Sequence, residues 1–177
     1  MVGPEHKFHR RSVRLKCFDY SNSGWYYITI CVQHFKCSFG DIHEDKMNLS
    51  EIGLVARDCW ETIPDHFPYV KLDEFIIMPN HLHGIIIIDR SVRAQHVEPI
   101  QDERKFQNIV TGSLSSIIRS YKAAVTKKCR ERGNDFEWHR NFYEHIIRND
   151  KELFYIRKYI RYNALKWRDD DEYYREG

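Results

Sequence analysis

The chain has 177 residues, of which 42% are hydrophobic and 31% charged, and its formal net charge is +2 at pH 7. This length and composition suit one soluble globular domain that can bury a core, and they exclude a disordered chain. No apolar stretch approaches the roughly 20 residues of a membrane-spanning helix, and residues 1–16 lack an apolar segment of the signal-peptide type. We therefore predict a single domain over residues 1–177, a cytoplasmic location and no membrane partner.

The five cysteines are odd in number, scattered, and never arranged as a CxxC pair. This pattern argues against a zinc ribbon or a disulfide framework and favours reduced thiols that serve packing. The cysteines are Cys17, Cys31, Cys37, Cys59 and Cys129.

Charge is distributed unevenly along the chain. Residues 1–16 have a net charge of +4 and residues 104–168 of +10, whereas residues 17–103 have −8 and residues 169–177 have −4. Basic segments on both sides of an acidic one indicate a polyanionic partner. A solvated helix face gives the same pattern, so charge alone leaves both interpretations open.

In chain order, the sequence first predicts a basic N-terminal arm over residues 1–24 that docks on a partner. Residues 25–32 are aromatic and β-branched, which predicts a first strand. A turn at Gly40-Asp41 with short strands on either side follows. Asn48, three residues before Glu51, predicts the cap of a helix whose apolar residues recur at helical spacing until Pro64.

Residues 71–77 and 82–89 predict a hairpin of two further strands around a Pro79-Asn80 turn. Residues 85–88 are all isoleucine, which indicates a central strand covered on both faces. A loop is predicted over residues 90–108.

A second amphipathic helix is predicted from Leu114 until Gly133-Asn134. The aromatic residues 136–147 predict a last strand. A final helix begins near Asn149 and runs to about Trp167, because Glu152 completes a capping box with Asn149. Residues 169–177 are predicted to be a loose acidic tail.

The order strand, helix, two strands, helix, strand, helix is not a run of alternating strand–helix units. It predicts an α+β fold of the ferredoxin-like class, an antiparallel sheet with helices packed on one side.

Residues 78–84 read Met-Pro-Asn-His-Leu-His-Gly and lead directly into the isoleucine strand. In a strand, residues i and i+2 point to the same side, so His81 and His83 are predicted to project together. Two imidazoles on one strand are part of a metal site, whose third ligand has to come from another element.

The final helix offers that third ligand. At about 100° per residue, its apolar stripe faces the sheet, and Asn163 lies at the border of this stripe with Tyr159 one turn before it. Two imidazoles and an amide oxygen can hold a divalent ion, and the phenol can attack a polarised phosphoryl group. The residues of the stripe are Leu153, Ile156, Ile160, Ala164 and Trp167.

These motifs resemble those of the single-tyrosine HUH transposases, and most closely the REP-associated tyrosine transposase branch of that family. The segment 78–84 matches the HUH motif, and the resemblance covers most of the chain except residues 90–108. The other matching segments are residues 10–16 with 18–20, residues 113–114 with 117–122, residues 142–149 and residues 156–163.

The resemblance implies that Tyr159 is the nucleophile and that His81, His83 and Asn163 bind Mg²⁺ or Mn²⁺. Ala164 stands where the branch commonly has proline. Tyr155 precedes Lys158 with the YxxK spacing of related replication initiators, and it therefore remains an alternative nucleophile.

The resemblance further implies a single-stranded DNA substrate that contains a hairpin and is cut through a covalent phosphotyrosine link. Exposed cations would bind its phosphates, and this binding would weaken with salt. A replication initiator or relaxase, a hairpin-binding protein without cleavage, and monomeric or homodimeric assembly remain open alternatives. The predicted phosphate-binding residues are Arg10, Arg11, Arg14 and Lys16 in the arm, and Arg119, Lys122, Lys127 and Lys128 on the second helix.

Overall fold

The computed structural model describes residues 22–91 and 112–169. Most of the predicted arm, loop and acidic tail lies outside the described residues. The predicted DNA-binding residues Arg10, Arg11, Arg14 and Lys16 belong to that part of the chain.

Six strands and four α-helices make up the described part of the chain. Four of the strands form one antiparallel sheet in the order β4-β5-β1-β6, and β2 pairs with β3 in a separate hairpin. The predicted α+β class, with helices packed on an antiparallel sheet, is confirmed. The elements are β1 (Gly24–Cys31), β2 (Gly40–His43), β3 (Lys46–Leu49), α1 (Glu51–Glu61), α2 (Ile63–His66), β4 (Val70–Ile77), β5 (His81–Ile88), α3 (Leu114–Glu131), β6 (Tyr143–Ile147) and α4 (Asp150–Tyr162).

Helices cover both faces of the sheet, so the prediction that they lie on one side was wrong. Helices α1 and α3 contribute to the larger apolar core, which includes Ile28 and Ile86 of the central strands. Helix α4 packs on the opposite face, where Leu153 and Ile160 meet Ile85 of β5. Because β5 is covered on both sides, its run of isoleucines is almost entirely buried, as predicted.

The hairpin β2–β3 turns at Glu44-Asp45 and not at Gly40-Asp41, where β2 begins. Both turn residues have positive φ, 50° and 60°. Two-residue hairpin loops favour this conformation because its twist matches that of the paired strands.

Ser50 caps α1, and the prediction that Asn48 does so was wrong. The Ser50 hydroxyl accepts a hydrogen bond from the Gly53 amide at 3.1 Å. Asn48 is held in β3 opposite Asp41, so strand pairing moves the start of the helix two residues further along the chain.

The last strand is shorter than predicted. Residues 143–147 pair with β1, whereas residues 136–142 cross the end of β1 and are anchored there by the indole of Trp138. Its Nε1 donates to the Lys122 carbonyl on α3 at 3.1 Å. The first half of this segment is thus held by the indole contact and by a single antiparallel bridge between Trp138 and Val32.

Helix α4 begins where the capping pattern predicted. The Asn149 side chain accepts from the Glu152 amide at 2.9 Å, and the Glu152 carboxylate accepts from the Arg148 amide at 2.8 Å. The α-helix ends at Tyr162, and a 3₁₀ segment, Ala164–Asp169, continues it. No helix in the described ranges is long and apolar enough to cross a membrane.

Gly84 lets the large core approach the histidine strand closely. It follows His83 on β5 and pairs with Ile28 and Phe75. A Cβ atom at this position would stand 2.5 Å from Cζ2 of Trp60, a fully buried residue of α1. Close packing of a helix indole against a strand backbone therefore requires glycine here.

We expect Gly84→Ala to destabilise the fold by about 1–3 kcal/mol, because the added methyl overpacks a rigid core. Urea unfolding of the purified variant measures this loss. Combining the change with Trp60→Phe, which removes the nearest ring atoms, should cost less than the sum of the two single changes. Strict additivity would show that the indole contact is not the cause.

Candidate active site

His81 and His83 occupy the first and third positions of β5, and both are buried, at 0% and 3% exposure. Their side chains point to the face of the sheet that α4 covers, because His83 lies opposite Thr29 of β1 and Ile76 of β4. The two Nε2 atoms are 2.9 Å apart. The sequence prediction that both rings share one face agrees with this placement.

Each ring is oriented through its other nitrogen. Nδ1 of His81 donates to the side-chain oxygen of Asn80 at 2.8 Å, which leaves Nε2 with its lone pair. Nδ1 of His83 is 2.8 Å from the hydroxyls of both Tyr27 and Thr29. Such second contacts fix the ring orientation of metal-binding histidines.

The facing Nε2 atoms need a positive charge or a proton between them, because two lone pairs at 2.9 Å repel each other. One tautomer of His83 satisfies this need by donating from Nε2 to His81. The hydroxyls of Tyr27 and Thr29 can accept as well as donate, so they support either tautomer of His83.

Helix α4 brings Tyr159 to this pair. The Tyr159 hydroxyl is 3.3 Å from Nε2 of His83, and the two ring centroids are 5.2 Å apart. The Tyr159 side chain keeps 44% exposure, so a substrate can reach it. Tyr155, the alternative nucleophile, is 57% exposed and its ring contacts Phe154 at 5.6 Å.

Asn163 lies one turn beyond Tyr159 and is buried, at 1% exposure. Four residues further, the Trp167 ring lies 5.9 Å from the His81 ring. The last turn of α4 thus contacts His83 through Tyr159, and the 3₁₀ extension contacts His81 through Trp167. Asn163 lies between Tyr159 and Trp167 in sequence, and its place beside the histidines stays a prediction.

The donor set fits a divalent ion with six ligands. Two neighbouring ligands of an octahedral ion at about 2.1 Å are about 3.0 Å apart, and the Nε2 separation is 2.9 Å. Within the described ranges, no three His, Cys, Asp or Glu side chains cluster to hold a metal. A third protein ligand would therefore have to be of another type, such as the Asn163 amide oxygen.

The other edge of α4 is tied to β4 by two ion pairs, which the sequence did not reveal. Arg157 donates to the Asp73 carboxylate, with Nε 3.1 Å from Oδ2, and Arg161 donates to Glu74. Both acids lie where the β4–β5 register shifts between Leu72 and Phe75. Because a strand irregularity of this kind re-aims side chains, the carboxylates can reach the helix.

The predicted DNA-binding residues on α3 divide into two kinds. Arg119, Lys127 and Lys128 are exposed. The ammonium of Lys122 instead donates to the carbonyls of His139 at 2.8 Å and Asn141 at 3.2 Å. Burial lowers the pKa of Lys122 to about 8, so its charged form still predominates at pH 7.

Comparison of the whole chain with known proteins gives relatives but no matching family model. An uncharacterized protein of Haemophilus influenzae is 44% identical over 168 residues, 93% of each chain. A second protein of that organism, provisionally named a REP-associated tyrosine transposase, is 26% identical over 148 residues, 84% of this chain and 74% of its own.

A solved structure of similar fold is a REP-associated tyrosine transposase bound to a REP hairpin. Its TM-score is 0.56 at 20% sequence identity, over 87% of this chain and 74% of that one. The fold and the sequence similarity agree with each other over most of the chain. The chain is thus similar in sequence to a protein provisionally named a REP-associated tyrosine transposase, and it shares its fold with a solved one.

Proposed function

We propose that the protein is a DNA transposase that binds single-stranded DNA containing a hairpin and cuts and rejoins it through a covalent link to Tyr159. The observation that carries the proposal is the Tyr159 hydroxyl, 3.3 Å from one of two buried histidines whose Nε2 atoms face each other. A nucleophile beside a pair of metal-type ligands is the arrangement that phosphoryl transfer to a protein side chain requires.

In the proposed reaction, the phenolic oxygen of Tyr159 attacks the phosphorus of one phosphodiester. A bond from the tyrosine oxygen to phosphorus forms, and the bond from phosphorus to the 3′ oxygen breaks. The phenolic proton is lost to solvent, and the departing 3′ oxygen takes up a proton to become a hydroxyl. One phosphodiester replaces another, so attack by a 3′-hydroxyl on the phosphotyrosine rejoins a strand without an external energy source.

His81, His83 and Asn163 would hold Mg²⁺ or Mn²⁺, consistent with the 2.9 Å separation of the imidazole nitrogens. When bound, such an ion would supply Lewis acidity that polarises the phosphate and stabilises the developing charge. The contacts from Asn80, Tyr27 and Thr29 would keep both rings oriented.

The partner is proposed to be hairpin DNA because the structural neighbour is bound to a REP hairpin. Arg119, Lys127 and Lys128 are exposed on α3 and could bind phosphates. Lys122 is proposed to have a supporting role, since its ammonium bonds two backbone carbonyls.

The nucleophile and the histidines are proposed to act within one chain. Tyr159 meets His83 of its own chain, and the ion pairs of α4 join it to its own β4. This arrangement favours the monomer over a dimer that exchanges the tyrosine helix.

We expect Tyr159→Phe to abolish covalent protein–DNA adducts while hairpin affinity stays within about twofold, since only the attacking oxygen is lost. Labelled single-stranded hairpin DNA is incubated with protein and Mn²⁺, and a slowed band is sought after denaturation. Tyr155→Phe is the matched control and should retain the adduct. An adduct with Tyr159→Phe but none with Tyr155→Phe would transfer the role to Tyr155, and hairpin binding without any wild-type adduct would favour a non-cleaving binder.

We expect His81→Ala, His83→Ala and Asn163→Ala each to weaken Mn²⁺ binding by at least about tenfold and to remove the adduct, because each change deletes one proposed ligand. Calorimetric titration with Mn²⁺ measures the first effect, with no DNA present. His66→Ala, an exposed histidine of α2, is the control and should bind like the wild type. Unchanged titration curves for all three variants would contradict the proposed metal site.

We expect a co-expressed mixture of Tyr159→Phe and His83→Ala chains to form no adduct, because neither chain has both groups. Light scattering should give the mass of a monomer. Restored adduct in the mixture would instead show that the tyrosine of one chain serves the histidines of another.

A further inference from the structure

Helix α4 has two functional edges, and they lie on opposite sides of its axis. At about 100° per residue, Arg157 and Arg161 are only about 40° apart, whereas Tyr159 is about 160° from each of them. The buried stripe with Leu153 and Ile160 lies between these edges and rests on the sheet. The arginine edge therefore contacts β4, and the tyrosine edge lies over the histidines.

An apolar stripe alone holds a helix against a sheet but allows it to roll about its axis. Apolar contact has no direction, and Leu or Ile side chains tolerate small shifts. A roll of about 10° moves a group about 6 Å from the helix axis by about 1 Å. Misplacement of a reacting group by about 1 Å can lower a rate by about 10²-fold.

We propose that the ion pairs Arg157–Asp73 and Arg161–Glu74 set the roll of α4 and thereby hold the Tyr159 hydroxyl at its working distance from His83. The four side chains are positioning residues, and none of them contacts the histidines. The proposal rests on the function proposed for Tyr159. It adds that the ion pairs fix the direction in which the Tyr159 side chain points.

The geometry of the first pair supports this role more strongly than that of the second. The Asp73 side chain is 13% exposed, and Arg157 reaches it through both Nε and Nη2. A forked contact of this type fixes direction as well as distance. The guanidinium of Arg157 also lies 5.8 Å from the centre of the Trp25 ring on β1.

The second pair is more open, with Arg161 60% and Glu74 29% exposed. Exposed ion pairs contribute little to global stability. A role limited to stability would therefore predict almost no effect from Glu74→Gln, whereas a role in helix roll predicts a slower reaction.

The test compares Asp73→Asn and Glu74→Gln with Asp58→Asn, an exposed acid on α1 at the other face of the sheet. All three changes alter the net charge equally, so nonspecific attraction to DNA changes equally. Three quantities are measured: the single-turnover rate of adduct formation, hairpin affinity at one salt concentration, and amide hydrogen exchange in α4.

We expect Asp73→Asn to slow adduct formation by about 10²-fold and Glu74→Gln by about tenfold, with hairpin affinity matching that of Asp58→Asn. The rate of amide hydrogen exchange in α4 should rise. The thermal unfolding midpoint should fall too little to explain the slower adduct formation. The double variant Asp73→Asn/Arg157→Gln should form the adduct as fast as Asp73→Asn alone, because both changes remove the same ion pair.

The proposal would be overturned if Asp73→Asn and Glu74→Gln formed the adduct at the wild-type rate. It would also be overturned if their slower rates were fully explained by weaker hairpin binding. If Asp73→Asn fails to fold, Glu74→Gln decides the matter. Absence of any adduct from the wild-type protein would be a failure of the proposed function. In that case the exchange measurement still tests the ion pairs, and unchanged protection of α4 would overturn their role.

Discussion

The rest of the structure depends on two imidazole nitrogens that face each other across 2.9 Å in a buried position. Burying this pair costs free energy unless a proton or a cation lies between the two Nε2 atoms and each Nδ1 atom has a hydrogen-bond partner. Asn80 satisfies His81, and two hydroxyls on β1 satisfy His83. Because a hydroxyl can reverse its hydrogen bond, the surroundings accept both the proton-sharing pair and the pair around a cation. The contacts of Asn80, Tyr27 and Thr29 thus hold both rings in fixed orientations.

One face of the sheet carries most of the apolar core, and the other carries the histidines and Tyr159. On one face, Trp60 and the large apolar core press against Gly84, directly beside the histidines. This packing fixes the strand that carries them. On the other face, a smaller core beneath α4 leaves the helix dependent on polar contacts at its edges. A rigid strand and a helix adjusted by ion pairs together bring a phenol to the histidines.

Helix α4 also explains why one of several tyrosines reaches the site. Tyr155, Tyr159 and Tyr162 share the helix, yet only the ring of Tyr159 has a described contact with a histidine. Tyr155 lies on nearly the same edge as Tyr159 but one turn earlier along the axis, and Tyr162 is rotated away from Tyr159 by about 60°. These two side chains are 57% and 49% exposed. This selection matters for the reaction proposed above, which needs a single attacking oxygen.

Much of the site followed from local periodicity. The two-residue repeat of a strand determined that His81 and His83 share a face, and the helical repeat placed Tyr159 and Asn163 on one edge of the last helix, since both repeats are properties of the backbone. Tertiary contacts decided the rest. The cap of α1 lies at Ser50 because Asn48 is paired in β3. Residues 136–142 contribute a single bridge, from Trp138 to Val32 directly after β1, and the Trp138 indole also bonds α3. Helix α4 lies on the face opposite to α1 and α3. The ion pairs of Arg157 and Arg161 join residues 84 and 87 positions apart. No local pattern encodes such contacts, because they exist only once the sheet and the helix are packed together.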